Sequence, residues 1–165
     1  MGTNLIFAIL SPILLTIGGI ISWLIKTKKE ELHTQEEKAR EEKLKTYEVL
    51  LEPYIIAFTF TISEKDKEKG INKIKTLEYR KAAFNLMTFG SDEVVRSFNK
   101  IMQGFYTAPS DMDKSELGFS HLKNFSELLL VIRKDLYAKN TKLKRSEMLE
   151  FMMNDLEKYR VKFDT

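Results

Sequence analysis

Residues 4–25 read NLIFAILSPILLTIGGIISWLI, 22 positions without one ionisable side chain. As a helix this stretch spans roughly 33 Å, close to the hydrocarbon thickness of a bilayer. Trp23 stands at its C-terminal end, where an indole suits the headgroup region, and Lys26, Lys28 and Lys29 follow at once. The segment predicts a membrane anchor over residues 1–25. A cleaved leader would place basic residues ahead of the apolar run and small residues at a cleavage site. Here no Lys or Arg precedes the run, and Ile21-Ser22-Trp23-Leu24-Ile25 is a poor cleavage region, so the anchor is expected to be retained. Positive charge behind the helix predicts a cytoplasmic C-terminal side and an N-terminus outside.

The anchor carries an internal pattern. Asn4, Ser11, Gly18 and Ser22 share one helical face, with Leu15 between them. Small and polar residues on one face serve either close helix–helix packing or a wall facing water. Pro12, Gly18 and Gly19 are the positions at which such a helix can bend.

Outward from the anchor, residues 26–50 contain neither Gly nor Pro, and their charges alternate in short blocks. Glu36–Arg40 and Glu41–Lys45 stand at the favourable i,i+4 spacing. This reads as a solvated juxtamembrane helix continuous with the anchor. It is a spacer in the simplest reading, or a collar if several copies assemble.

Residues 51–165 read as a cytosolic bundle of about five helices, making the chain all-α. Leu44, Tyr47, Leu51, Ile55, Phe58 and Ile62 form one stripe, with a kink expected at Pro53. The charged run Ser63–Gly70 reads as a turn or frayed end. Ile74, Leu77, Phe84 and Met87 mark a helix stopped at Gly90. Ser91 reads as the N-cap of the next helix, whose buried face is Val94, Phe98, Ile101 and Phe105. Thr107–Ser115, with Pro109, is the clearest loop. Leu122, Phe125, Leu129, Ile132 and Leu136, a stripe widened by Leu128, Leu130 and Val131, define the central helix, and Lys139-Asn140-Thr141 a polar break. Leu149, Met152, Leu156 and Tyr159 mark a last helix capped by Ser146. No window alternates for long at period two, so a sheet is not expected.

Composition narrows the chemistry. The 165 residues suffice for one domain, and a net charge of +3 gives no block suited to nucleic acid. The absence of cysteine excludes disulfides and thiolate chemistry. No HExxH, Gly-rich phosphate loop or GxSxG occurs, and neither a metal nor a cofactor is expected. Bundle ribonucleases of the HEPN type pair an Arg with a His, four to six residues standing between them. The matching positions before His121 are Lys114, Ser115 and Glu116, and those before His33 are Lys26, Thr27 and Lys28, so no catalytic residue is assigned. His121 is expected to pack near a loop and His33 to be solvated. Arg133, inside the central apolar helix, is expected either to pair with a carboxylate or to hold an anion or neighbouring subunit. Lys134 and Asp135 are placed on the solvated side.

Two stretches, Gly90-Ser91-Asp92-Glu93-Val94-Val95-Arg96-Ser97-Phe98-Asn99 and Leu129-Leu130-Val131-Ile132-Arg133-Lys134-Asp135-Leu136, the latter followed by Asn140-Thr141-Lys142-Leu143 and the Met148–Leu156 segment, carry a resemblance. Together with the anchor and charged helix they resemble the small membrane accessory proteins of type VI-B CRISPR systems. The resemblance implies a divergent HEPN-like bundle, a location in the bacterial inner membrane and a ring-like homo-oligomer whose N-terminal helices form a pore. It further implies a functional link to an RNA-guided RNA nuclease, with antiviral defence enhanced by membrane depolarisation. The chain lacks the Arg/His spacing of the active ribonucleases, which implies a structural relic rather than an enzyme. The alternatives are a membrane-tethered interaction module or scaffold, and a membrane-bound ribonuclease.

Overall fold

A computed structural model describes residues 2–58, 63–107, 113–137 and 140–165, with side chains described from Gly18 onward except at positions 64 and 114. All regular structure among them is helical, as the periodicity predicts. The elements are α1 (Gly2–Phe58), α2 (Glu64–Asn72), a 3₁₀ turn Lys73–Lys75, α3 (Leu77–Phe89), α4 (Asp92–Thr107), α5 (Lys114–Leu136), 3₁₀ turns at Ser146–Met148 and Leu156–Lys158, and α6 (Arg160–Asp164). The chain divides into two compact units, residues 1–42 and 43–165.

In the first unit, α1 exposes every described position from Gly18 to Glu42 except the half-buried Arg40. Its surface pairs have helical spacing: Lys26–Glu30 at 3.9 Å and His33–Glu37 at 3.4 Å. Among the described residues no helix is long and apolar enough to cross a membrane. Only Gly18–Ile25 of the expected span has described side chains, about 12 Å of helix.

In the second unit, α1 is unbroken through Pro53, whose side chain is buried. The buried positions there are Tyr47, Leu50, Pro53 and Tyr54. The inward face is therefore turned from the expected stripe, leaving Ile55 exposed; Ile62 lies outside the described residues. The expected turn at Ser63–Gly70 is instead the helix α2, because the Ser63 hydroxyl accepts the Asp66 N–H and caps it. Gly70 is not a terminator but a contact point: a Cβ there would overlap Ile56.

Helix α3 ends before Gly90 as expected, but presents the other face. Tyr79, Ala82 and Leu86 are buried, whereas Leu77 and Phe84 are 68% and 75% exposed. Both arcs have helical spacing. Tyr79 decides between them, because its ring meets Phe98 at 6.4 Å and its phenol oxygen accepts a hydrogen bond from Tyr54. In α4, Val94, Phe98 and Ile101 are buried as expected and Phe105 is partly exposed; α5 buries Phe125, Leu128, Leu130, Val131 and Ile132. Residues 108–112 of the expected loop, and Lys139 of the expected break, lie outside the described residues.

The expected last helix is replaced by 3₁₀ turns and the short α6. The Asp164 carboxylate accepts both the Ser146 N–H, at 3.1 Å, and the Ser146 hydroxyl, at 3.0 Å. Arg145 donates to the Asp164 carbonyl at 3.2 Å and pairs with Glu127 of α5 at 3.3 Å. One continuous helix over this span would hold its ends about 27 Å apart, so the clasp and the helix exclude each other. Leu149, Leu156 and Phe163 are buried, with Phe163 on Phe119 at 4.8 Å.

The charge inside the bundle is Asp135, not Arg133, which is exposed. The Asp135 side chain, 9% exposed, accepts from the Tyr47 hydroxyl at 2.6 Å and from Lys43 Nζ at 3.0 and 3.2 Å. The Ser91 hydroxyl, just ahead of α4, joins them. Burial pushes the Asp135 carboxyl up, but Tyr47, Lys43 and Ser91 together outweigh it and leave it below its usual value. Tyr47 is raised by burial and by this carboxylate. The folded pKa lies below the unfolded value of about 3.9, so the stabilisation is present above that value and is lost as pH falls through the folded one. Asp135→Asn is expected to cost about 2–3 kcal/mol at neutral pH, read from urea unfolding, with the deficit shrinking in acid. An unchanged midpoint would show the carboxylate to be dispensable.

Candidate functional site

The bundle forms a cavity of about 580 Å³, partly open to solvent, whose walls come from α1, α2, the 3₁₀ turn, α3, α4 and α5. α1 contributes Pro53, Tyr54, Ala57 and Phe58, because the rotation that buries Tyr47 and Leu50 carries these residues inward. Tyr54 stacks on Phe125 at 5.3 Å and meets Phe105 at 6.3 Å. The Tyr54 and Tyr79 hydroxyls approach the Met102 sulfur at 4.0 and 3.9 Å. Burial raises both phenols, so they are neutral donors at physiological pH.

His121 closes one side. Its ring stacks on Phe105 at 4.6 Å with 19° between the planes. The ring lies close against α4 at Gly104, where a Cβ would stand 3.4 Å from His121 Cε1, at ordinary contact distance. His121 Nδ1 is buried without a hydrogen-bond partner among the described residues, and burial lowers the imidazole pKa. A neutral ring is therefore favoured. Lys75 and Arg80 are the cations on the cavity wall. Lys75 Nζ donates to Asn72 Oδ1 at 3.1 Å, and among the described residues no carboxylate pairs with either cation.

The residues singled out in the sequence are not gathered at this cavity. Asn4 and Ser11 lie outside the residues with described side chains. Gly18, Ser22, Trp23, Lys26, Lys28 and Lys29 are exposed on the first unit. A Cβ on Gly18 or Gly19 would meet nothing within 4 Å. Arg133 is exposed on the second unit, and His33 is solvated as expected, beside Glu37. Of the two histidines, His121 lines the cavity and His33 does not.

Asp135, Tyr54, Lys75 and Arg80 were not singled out. Asp135 had a legible signal: it stands three residues after Ile132 and seven after Leu128, on the buried stripe, whereas Arg133 is turned about 100° from Ile132. The neighbouring Arg133-Lys134 disguises it as part of a solvated end. Lys75 and Arg80 had none, because they meet His121 only through the fold. Among the described residues no cluster suited to a metal occurs.

No family model, curated protein or solved structure matches the chain.

The His121 environment sets a pH dependence. Its folded pKa lies below the unfolded value of about 6.5, so the unfolded chain takes up the proton first as pH falls. Stability is whole above about pH 6.5 and declines below it. Thermal melts at about pH 5.5 and about pH 7.5 should differ for the native chain and differ less for His121→Phe, which preserves the stack on Phe105. The same pH difference in both would locate the effect elsewhere.

Proposed function

We propose that this chain is a single-pass membrane protein that assembles with copies of itself through its N-terminal helix into a pore, with its bundle in the cytoplasm. The observation that carries the reading is the exposed apolar end of the first unit. Ile20, Ile21, Trp23, Leu24 and Ile25 are all exposed, Trp23 by 64%. At about 100° per residue they cover roughly 200° of the helix circumference, too wide an arc for one partner helix to bury. Moving them into an apolar phase is worth on the order of 5 kcal/mol. The apolar run upstream adds to this in sequence. The remaining arc holds Gly18, Gly19 and Ser22, the small residues that admit a second helix. Lys26, Lys28 and Lys29 favour a cytoplasmic bundle.

A role in antiviral defence, through membrane depolarisation beside an RNA-guided RNA nuclease, is proposed on the resemblance of Gly90–Asn99 and Leu129–Leu136 alone. A second reading, a membrane-tethered interaction module, is favoured by the apolar face that α3 leaves outside at Leu77, Phe84, Met87 and Phe89.

Purification of the full chain in mild detergent tests the proposal. The expected result is a multimer that conducts ions in liposomes. Gly18→Leu should weaken assembly without changing the melting of the bundle, because a Cβ there meets nothing within the chain. A strictly monomeric particle without conductance would end the pore reading. Full defence activity after exchange of residues 1–25 for an unrelated anchor would favour the tethered module. RNA cleavage abolished by His121→Ala would favour a ribonuclease.

A further inference from the structure

The cavity beside His121 has a composition that selects a ligand. Its volume of about 580 Å³ falls within the range of roughly 300–1,000 Å³ typical of small-molecule sites, and sites between the helices of a bundle are common. Its walls are apolar and aromatic, chiefly Pro53, Phe58, Ile71, Ile101 and Phe105, and among the described residues no Asp or Glu lines it. The two charges that do line it, Lys75 and Arg80, are both positive and lack a carboxylate partner among the described residues. A more open recess of about 420 Å³ shares Ile74, Arg80, Met102 and Tyr106 with the cavity. Among the described residues no acid lines that recess either. Arg80, exposed, thus stands where the apolar cavity adjoins a recess of mixed polarity, with Lys75, also exposed, on the wall of the larger.

We propose that this cavity binds a single-chain amphiphile with an anionic head, of the fatty-acid type, its chain among the aromatic walls and its carboxylate at Arg80 and Lys75. The charge complementarity is one-sided: a neutral apolar ligand would leave both cations unused, and a cationic one would be repelled. A planar guanidinium is suited to bidentate pairing with a carboxylate. A two-chain phospholipid is disfavoured, because the larger compartment lies at the small-molecule scale and the smaller one is open at the surface. The site belongs wholly to the second unit and does not depend on how residues 1–42 are housed.

The test uses the full-length chain, in phosphatidylcholine nanodiscs if it inserts and in buffer if it does not, titrated with the fluorescent fatty acid cis-parinaric acid. Empty nanodiscs provide the background. The expected result is saturable fluorescence above background, displaced by palmitate and not by hexadecanol. Lys75→Gln with Arg80→Gln should weaken binding about tenfold or more. Gly118→Trp should abolish it. Gly118 lines the cavity and among the described residues a Cβ there meets nothing within 4 Å, so a tryptophan fits there without displacing the backbone and can fill the cavity at that wall. Circular dichroism of each variant, matching the native chain, separates loss of binding from loss of fold. Absence of saturable binding, equal displacement by hexadecanol, preferential displacement by phosphatidylglycerol, or unaltered binding in a folded Gly118→Trp chain would each overturn the proposal.

Discussion

The carboxylate of Asp135 organises the second unit. Removing a charge from water costs several kcal/mol unless donors replace the lost hydration. Here Tyr47 and Lys43 of α1 and Ser91 ahead of α4 supply them. The apolar side chains around this group would tolerate a small slide of one helix along another, since hydrophobic packing accepts rearrangement at modest cost. The carboxylate would not, because a displacement of one residue turns it about 100° from its donors. The position of α5 along α1 is therefore set by a polar contact and filled in by apolar ones.

That register determines what lies further along α1. With Lys43 and Tyr47 held at Asp135, the next turns direct Leu50, Pro53 and Tyr54 inward. Tyr54 then meets Phe125 of α5, Phe105 of α4 and the phenol of Tyr79 on α3. The cavity opens beside this residue. Close approach at two glycines sets its limits: Gly70 lets α2 rest on Ile56, and the His121 ring lies against α4 at Gly104. The apolar chamber and the buried carboxylate occupy successive stretches of the same helix face.

The elements legible in the sequence were those whose apolar pattern admitted one interpretation. α4 and α5 each carry one dominant stripe: Val94, Phe98 and Ile101 follow it in α4, and Phe125 and Ile132 in α5, with Leu128, Leu130 and Val131 buried beside them. α3 carries two competing arcs, and the choice rests on Tyr79 finding Tyr54 and Phe98, which local sequence does not contain. The final segment misleads for a different reason. Leu149, Met152, Leu156 and Tyr159 keep intervals of three and four, but 3₁₀ turns also preserve an interval of three. Only the clasp of Asp164 on Ser146 reveals that the chain doubles back. Asp135 was hidden by its charged neighbours although its position on the stripe was readable. The union of Lys75, Arg80 and His121 at one cavity joins residues separated by more than one helix, and no local pattern encodes it.

The first unit is stabilised by different means. Residues 26–42 bury nothing comparable to the Tyr47–Tyr54 face, and their ion pairs contribute only a few tenths of a kcal/mol each. Their helicity therefore draws on the absence of Gly and Pro and on helix already formed at both ends, since extending a helix avoids the cost of nucleating one. The apolar stretch at residues 4–25 continues the helix at one end, while the Asp135 contacts secure the other from Lys43 onward. A charged segment with no core of its own can then persist as helix because both neighbours have reasons, one apolar and one polar, to be helical.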